Sequence, residues 1–509
     1  MKKTEKIHFI GICGVAMGAL ALAFKKVGWQ VTGSDVGIYP PISDYLKKNK
    51  IDYYTGWHPE LMCKNGEPDL VVVGNVAGST NPEWLYTQEH KLEYKSYPEL
   101  IAEYFVRKNS IVCAGTYGKT TAAALLSWIL YKAGMKPSYM FGGLCVDGGF
   151  PSACCHCEEA ESRRSNPVSG STGSPRHCVG ARDDGRCWSV LEGDEYKSAR
   201  WDNRPKFAHY SPTHLLLTAV EWDHADVYPT EESYFAAFEG LLKSVPETGL
   251  VVVSERILDI KILNIQYPIS KTYGKSTNVD YRYDDIEIKE DGIKFNIFHD
   301  NKKYLVISPL IGEFMADNLC AVFAMAHQIG IKPEIIIKAV EEFKGLKRRL
   351  EKRLEGKITV FDDIAHSPAK AESTLKTLKN TYKKGIPPLA PLGRNDNVDN
   401  RKIIAVFEPN TGNRQPEAIP SYDNKFDAAD LVIIPQLTRV KHDQKKSPPL
   451  EGEELMKIIS KTHSNAKYIS DDKKLVDVII KEAKAGDVVA FLGSHGFRGM
   501  IENLITKLK

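Results

Sequence analysis

The sequence predicts an α/β protein of three domains, and three observations carry that expectation. Apolar strand-like runs alternate with helical stretches along most of the chain, the pattern of sheets wrapped by helices. Residues 111–121, Ile-Val-Cys-Ala-Gly-Thr-Tyr-Gly-Lys-Thr-Thr, pass from a β-branched run through a glycine-bracketed turn into an apolar helix. The length of 509 residues exceeds one ordinary core several-fold, at about 150 residues per domain. The expected boundaries are 1–107, 108–345 and 346–509.

The first domain opens with a strand, Ile7–Ile10, and a glycine-rich turn, Gly11 to Gly18, that starts a helix reaching about Val27. A second strand, Gln30–Gly33, ends at Ser34-Asp35, and a third, Leu70–Val73, leads into Gly74-Asn75-Val76 and Asn81-Pro82-Glu83. This is a Rossmann-like nucleotide-binding unit, with its ligand expected at the carboxyl ends of the strands. Gly11, Gly14 and Gly18 do not have the G-x-G-x-x-G spacing of a dinucleotide site. Asp35 suits a ribose hydroxyl, and equally suits a turn cap.

The second domain is built on the 111–121 loop. Backbone N–H groups and the helix dipole at such a turn favour a polyphosphate. Lys119 is expected to reach the terminal phosphates of ATP and the Thr120 hydroxyl to hold Mg²⁺. The motif is the variant Gly115-Thr116-Tyr117-Gly118-Lys119-Thr120-Thr121, with Cys113 where the usual pattern has its first glycine. Strand Trp188–Leu191 delivers Glu192-Gly193-Asp194-Glu195, and strand Leu215–Val220 delivers Glu221-Trp222-Asp223-His224. Carboxylates and a histidine at strand ends beside a phosphate loop predict a Mg²⁺ site. Turn signals at Asp291-Gly292 and Asp300-Asn301 predict hairpins within 250–310, followed by helices Ala316–Gln328 and Pro333–Phe343.

The third domain repeats the alternation. Strand Ile358–Phe361 ends at Asp362-Asp363-Ile364-Ala365-His366, Ile403–Phe407 at Glu408-Pro409-Asn410, and Val488–Leu492 at Gly493-Ser494-His495-Gly496, with Leu431–Ile434 in the same sheet. Two aperiodic segments, 151–187 and 385–400, read as surface insertions. The first holds Cys154, Cys155, His156, Cys157, His177, Cys178 and Cys187, whose spacing fits no regular zinc pattern.

Composition narrows the class. Apolar content of 42% and charged content of 26% are those of a soluble globular protein. The net charge of +3 argues neither for nor against a polyanionic partner, and no nucleic acid is expected. The apolar run Phe9 to Phe24 after Met1-Lys2-Lys3 is interrupted by Gly11, Gly14 and Gly18 and followed directly by a strand, unlike a cleaved signal. No uninterrupted apolar stretch approaches the ~18 residues of a membrane span, so no membrane insertion is expected and the cytoplasm is favoured. The ten cysteines suggest no disulfide framework.

Taken together these pieces resemble the Mur ligases, the ATP-dependent amide ligases of peptidoglycan assembly, over nearly the whole chain outside the two insertions. The resemblance rests on Gly115–Thr121, Glu192-Gly193-Asp194-Glu195, Asp223-His224, Asn318, Arg349 and Asp362–His366, in the family's order. It implies a Rossmann-like UDP-binding domain, a P-loop ATPase-type central domain and a Rossmann-like C-terminal domain that takes the incoming amine. Two activities compete. One joins L-alanyl-γ-D-glutamyl-meso-diaminopimelate to the lactyl carboxylate of UDP-N-acetylmuramate in peptidoglycan recycling; the other adds L-alanine to the same acceptor. The segments Gly33–Ser43, Phe343–Arg349 and Phe407–Thr411 resemble the tripeptide-adding member.

The resemblance also implies roles. Gly115, Thr116, Gly118, Lys119, Thr120, Thr121, Asn318, Arg349 and Asp363 would bind ATP, with Asn318 at the adenine and Asp363 at the ribose. Lys119, His224 and Arg349 would be catalytic, Thr120 and Glu192 would hold one Mg²⁺, and His224 would help hold a second. Gly11, Gly14, Gly18, Ser34, Asp35 and Asn75 would cradle the UDP-sugar, and His366, Asn410 and Arg414 the peptide. The chain departs from the family at Tyr117, at Phe314-Met315 and at Ser367, where histidine, His-Asn and a second histidine are usual. Those departures and the insertions leave a non-catalytic nucleotide-binding homologue as a further alternative. A dinucleotide oxidoreductase would account for the first glycine turn and Asp35 but not for 111–121 or 192–224.

Overall fold

The computed structural model describes residues 4–38, 42–155, 187–224, 227–258, 271–383, 401–438 and 448–509. The insertion 385–400, the Tyr39-Pro40-Pro41 stretch, and His156, Cys157, His177 and Cys178 lie outside the described residues. The chain forms two compact units, the first comprising Met1–Asp285, Phe295–Ile307 and Ala316–Phe343, the second Ile286–Lys294, Ser308–Met315 and Lys344–Lys509.

In the first unit a five-stranded sheet runs in the order Asp52–Thr55, Gln30–Asp35, Lys6–Ile10, Leu70–Val73, Tyr94–Ser96. All its pairs are parallel. The chain winds outward in both directions from Lys6–Ile10, so the Gly11 turn stands at the crevice where the winding reverses.

A second sheet is centred on Asn109–Ala114, which pairs in parallel with Trp188–Gly193 on one side and His214–Leu217 on the other. Cys113 lies opposite Glu192, and Ala114 opposite Leu217. This register puts the phosphate loop and both acidic stretches at one sheet edge. The helix Lys119–Lys132 that leaves the loop is buried from Thr120 through Ser127. Its outer face is covered by the helix Pro333–Glu342, where Trp128 Nε1 donates to Ala339 O at 2.8 Å. That covering explains why the helix reads as apolar all round instead of amphipathic.

The hairpin expectation holds only in part. Leu250–Ser254 and Lys271–Gly274 join the sheet as parallel strands, because a 16-residue connection gives room for a crossover. The turns fall later, among Tyr281–Lys289, Gly292–His299 and Lys302–Ser308. Asp300 and Asn301 both have positive φ, 48° and 58°, as a two-residue hairpin turn requires. The strand expected over 215–220 stops at Leu217, since Thr218 turns back to donate its hydroxyl to Tyr117 O.

The second unit holds a six-stranded sheet, ordered Glu351–Leu354, Thr359–Asp363, Val488–Gly493, Ile403–Glu408, Leu431–Pro435, Ala466–Ile469. Only its first pair is antiparallel. The inner strands Val488–Gly493, Ile403–Glu408 and Leu431–Pro435 are nearly continuous apolar runs because helices cover both faces.

Candidate active site

The phosphate loop is shaped by two glycines. Gly115 has φ 138°, and a side chain there would collide with Thr218 Oγ1 and lie 2.7 Å from Ala219 O. Gly118 has φ 81° and begins the helix, which carries no side-chain cap and no acidic residue in its first turn. Such a helix start leaves backbone donors and a positive dipole for an anion. Thr116 anchors the loop from inside: its N–H donates to Ala219 O at 2.8 Å, and its hydroxyl meets Glu221 O at 2.8 Å and Tyr234 OH at 2.9 Å. Thr116 therefore holds the loop in place, with both its donors already engaged. Thr121 is buried in the first turn of the helix.

Lys119 Nζ lies 2.9 Å from both carboxylate oxygens of Glu195, whose side chain is only 1% exposed. Burial pushes the Lys119 ammonium down, but the carboxylates of Glu195, Asp194 and Glu192 outweigh it and hold its pKa above the ordinary lysine value. Asp194 is half-buried; desolvation raises its pKa, but Lys206 and Lys119 outweigh that and bring it down to about 2. Glu195 also faces His224, with Nε2 at 3.5 Å from Oε1. That hydrogen bond to Glu195 outweighs burial and raises the imidazole pKa. His224 sits at φ 58°, its N–H donating to Asp223 Oδ1 at 2.7 Å.

Thr120 Oγ1 donates to Glu192 Oε1 at 2.7 Å, and Gly142 N–H donates to Glu192 Oε2 at 2.6 Å. A hydroxyl and a carboxylate side by side suit Mg²⁺, which takes few protein oxygens and leaves positions for water and phosphate. Among the described residues, no three His, Cys, Asp or Glu side chains cluster as a metal cage. Thr120 and Glu192 thus come together as a pair, while His224, expected at a second Mg²⁺, lies beside Glu195. Asn318 stands against the loop, its Oδ1 where a side chain on Gly118 would lie.

The N-terminal crevice is held by strand-end groups. Gly11 and Ile12 N–H donate to Ser34 O at 2.8 and 3.1 Å, and Cys13 N–H donates to Asp35 Oδ2 at 2.9 Å. Asp35 Oδ1 accepts from Gly37 N–H at 3.0 Å, so the carboxylate serves as a turn cap with both oxygens engaged. Ser34 is fully buried, its hydroxyl donating to Glu83. Gly18 lies within the helix Val15–Lys26, where a side chain would come 2.6 Å from Ile42 Cδ1; it is a packing residue. Of the expected UDP-sugar residues, Ser34, Asp35 and Gly18 thus shape the crevice, because burial or backbone bonds consume their polar groups. Gly11 and Gly14 form the turn, and Asn75 donates to Lys197 O at 3.2 Å.

In the second unit Arg349 is exposed, while its neighbour Arg348 is spent on Ser494 O at 3.0 Å and His495 O at 2.9 Å. Asp363 accepts from Leu350 N–H at 2.6 Å and Ala365 N–H at 2.8 Å, and burial raises its pKa despite Arg349. Its carboxylate fixes the loop instead of standing open to a ribose. His366 Nδ1 bonds Ile364 O at 2.7 Å, and Asn410 Oδ1 accepts from Asn413 N–H at 3.0 Å. Arg414 is 3% exposed and donates to Leu450 O and Thr438 O at 2.9 and 2.8 Å. It ties loops together, a correction to its expected peptide contact. Nothing in the sequence sets Glu195 apart within its acidic run or Thr218 within its apolar stretch; the pairing of Glu195 to Lys119 and the bond from Thr218 to Tyr117 are tertiary facts.

A phosphate-loop domain flanked in sequence by two Rossmann-like domains, with its lysine and acidic stretches at one sheet edge, defines a three-domain nucleotide-using α/β enzyme. Three descriptions match the chain in order: Mur ligase family, catalytic domain, over residues 6–108; Mur ligase middle domain over 113–326; and Mur ligase, glutamate ligase domain, over 348–495. The chain belongs to the Mur ligase family, the ATP-dependent, ADP-forming ligases that make an amide bond. It is 28% identical over 510 residues to the UDP-N-acetylmuramate–L-alanyl-γ-D-glutamyl-meso-2,6-diaminoheptandioate ligase of Haemophilus influenzae, covering 99% of each chain. It is also 28% identical over 502 residues to the UDP-N-acetylmuramate–L-alanine ligase of Brachyspira hyodysenteriae, covering 97% of this chain and 96% of that one. The crystal structure of a murein peptide ligase from Psychrobacter arcticus superposes with a TM-score of 0.67 at 27% identity, covering 99% and 98%.

Proposed function

We propose that this protein joins L-alanyl-γ-D-glutamyl-meso-diaminopimelate to the lactyl carboxylate of UDP-N-acetylmuramate, in the cytoplasm, as a step of peptidoglycan recycling. The observation that carries the reading is the Lys119, Thr120, Glu192 and Glu195 cluster at the end of the phosphate loop, within a full-length match to a ligase of that name. The domain boundaries that go with it are 1–107, 108–345 and 346–509.

Amide formation from a carboxylate in water needs a better leaving group than oxide. The lactyl carboxylate oxygen attacks the γ-phosphorus of ATP and ADP leaves, giving an acyl phosphate. The peptide amine then attacks the acyl carbon, phosphate departs, and the nitrogen loses a proton. Charge grows on the phosphoryl oxygens in the first step, so fixed cations matter more than proton donors. Lys119 supplies one, kept charged by Glu195, and Arg349 supplies a planar fork suited to phosphate. Thr120 and Glu192 are the residues that would hold Mg²⁺, which neutralises phosphate charge when bound. His224 steadies Glu195, and the Gly11–Gly14 turn with Asn75 faces the UDP-sugar. His366 and Asn410 remain the residues for the peptide.

Addition of L-alanine is the second reading, favoured by the equal identity to the Brachyspira enzyme. Phosphate release tests the class: it is expected only when ATP, UDP-N-acetylmuramate and an amine are all present. Release without acceptor or amine would contradict the ligase reading, and none with all three would leave the non-catalytic alternative standing.

A further inference from the structure

We propose that Glu83 is a positioning residue for the UDP part of the acceptor, acting through Ser34 on the glycine turn; this rests on the UDP-sugar reading above. Glu83 lies in the first turn of the helix Pro82–Glu89, and its side chain is wholly buried. A buried carboxylate without partners would cost several kcal/mol, and this one is saturated. Oε1 accepts from Tyr54 OH at 2.6 Å and from His58 N–H at 2.8 Å. Oε2 accepts from Ser34 Oγ and lies 3.5 Å from His8 Nε2. His8, also fully buried, is itself held by Thr32 Oγ1 at 2.8 Å.

One carboxylate thus bolts together the three strands Lys6–Ile10, Gln30–Asp35 and Asp52–Thr55 just beneath their carboxyl ends. The consequence for ligand binding runs through one residue. The Ser34 side chain is held by Glu83, and the Ser34 carbonyl receives Gly11 and Ile12 N–H, with Asp35 receiving Cys13 N–H. Three successive backbone groups of the turn hang from a segment whose position Glu83 fixes. Glu83 is too deep to touch a nucleotide, so its effect is on the turn's placement.

The Glu83→Gln variant tests this in the full-length protein. Glutamine can accept at one terminus only, so either Ser34 Oγ or the Tyr54 and His58 donors face an NH₂ group. Titration calorimetry with UDP is expected to show at least tenfold weaker binding, with a matching rise in KM for UDP-N-acetylmuramate and KM for ATP within twofold. Tyr54→Phe, a milder change, is expected to move UDP affinity the same way by threefold or more, and carries the test if Glu83→Gln does not fold. UDP affinity within twofold of wild type in the folded variants would overturn the proposal, even if the thermal midpoint fell. Wild-type protein that does not bind UDP would refute the acceptor reading itself, and this role with it.

Discussion

Replacing Lys119 by methionine separates the catalytic and structural halves of the Lys119–Glu195 pair. The two groups approach to 2.9 Å, with Glu195 1% and Lys119 15% exposed. Removing one member of a buried pair strands the other charge, at a cost of about 3–5 kcal/mol. Here His224 remains 3.5 Å from Glu195 as a residual partner, which sets the expectation at the low end, about 3 kcal/mol. Chemical denaturation should show that loss in Lys119→Met and a comparable one in Glu195→Gln. In the double variant the stranded charge is gone, so most of the stability should return and the cycle should show strong coupling. Phosphate release should behave otherwise: it should fall at least a hundredfold in Lys119→Met and stay low in the double variant, while UDP binding is unchanged. Additive destabilisation would refute the pair. Turnover in Lys119→Met within tenfold of wild type would refute the phosphate-loop assignment.

Glu192→Ala should raise the Mg²⁺ concentration for half-maximal activity at least tenfold; an unchanged titration would remove Glu192 from the metal site. Thr116→Val deletes the hydroxyl that meets Glu221 and Tyr234 and should raise KM for ATP severalfold while stability falls by about 1–3 kcal/mol, the cost of unsatisfied buried partners. His214 is pushed down to about 4 by burial. Its unfolded form binds the extra proton, so the stability it contributes is present above the ordinary histidine pKa and is lost as pH falls toward about 4. His214→Gln should flatten the acid limb of a stability–pH curve over that window.

The sheet edges were legible because strand ends carry their polar residues in runs: Gly115–Thr121 and Glu192–Glu195 announce themselves by type and spacing. What the sequence could not reveal is which of those polar groups the fold consumes. Ser34 and Arg414 look ligand-facing at the ends of strands, yet one sits wholly under the sheet edge and the other feeds two distant carbonyls. Asp35 and Asp363 are alike in this: each is the last residue of its strand and each accepts two backbone N–H groups. Arg348 and Arg349 are adjacent and chemically identical, and only the fold sets the half-buried one, bonded to the carbonyls of Ser494 and His495, apart from the exposed one beside Asp363. The parallel placement of Leu250–Ser254 is not readable from the sequence, because alternation specifies a strand without specifying its partner.

The most direct measurement offers the enzyme ATP, Mg²⁺, UDP-N-acetylmuramate, and equal concentrations of the tripeptide and L-alanine, with products weighed by mass spectrometry. The UDP-N-acetylmuramoyl tripeptide with equimolar ADP is the predicted product. Accumulation of UDP-N-acetylmuramoyl-L-alanine, or of neither adduct, would contradict the account.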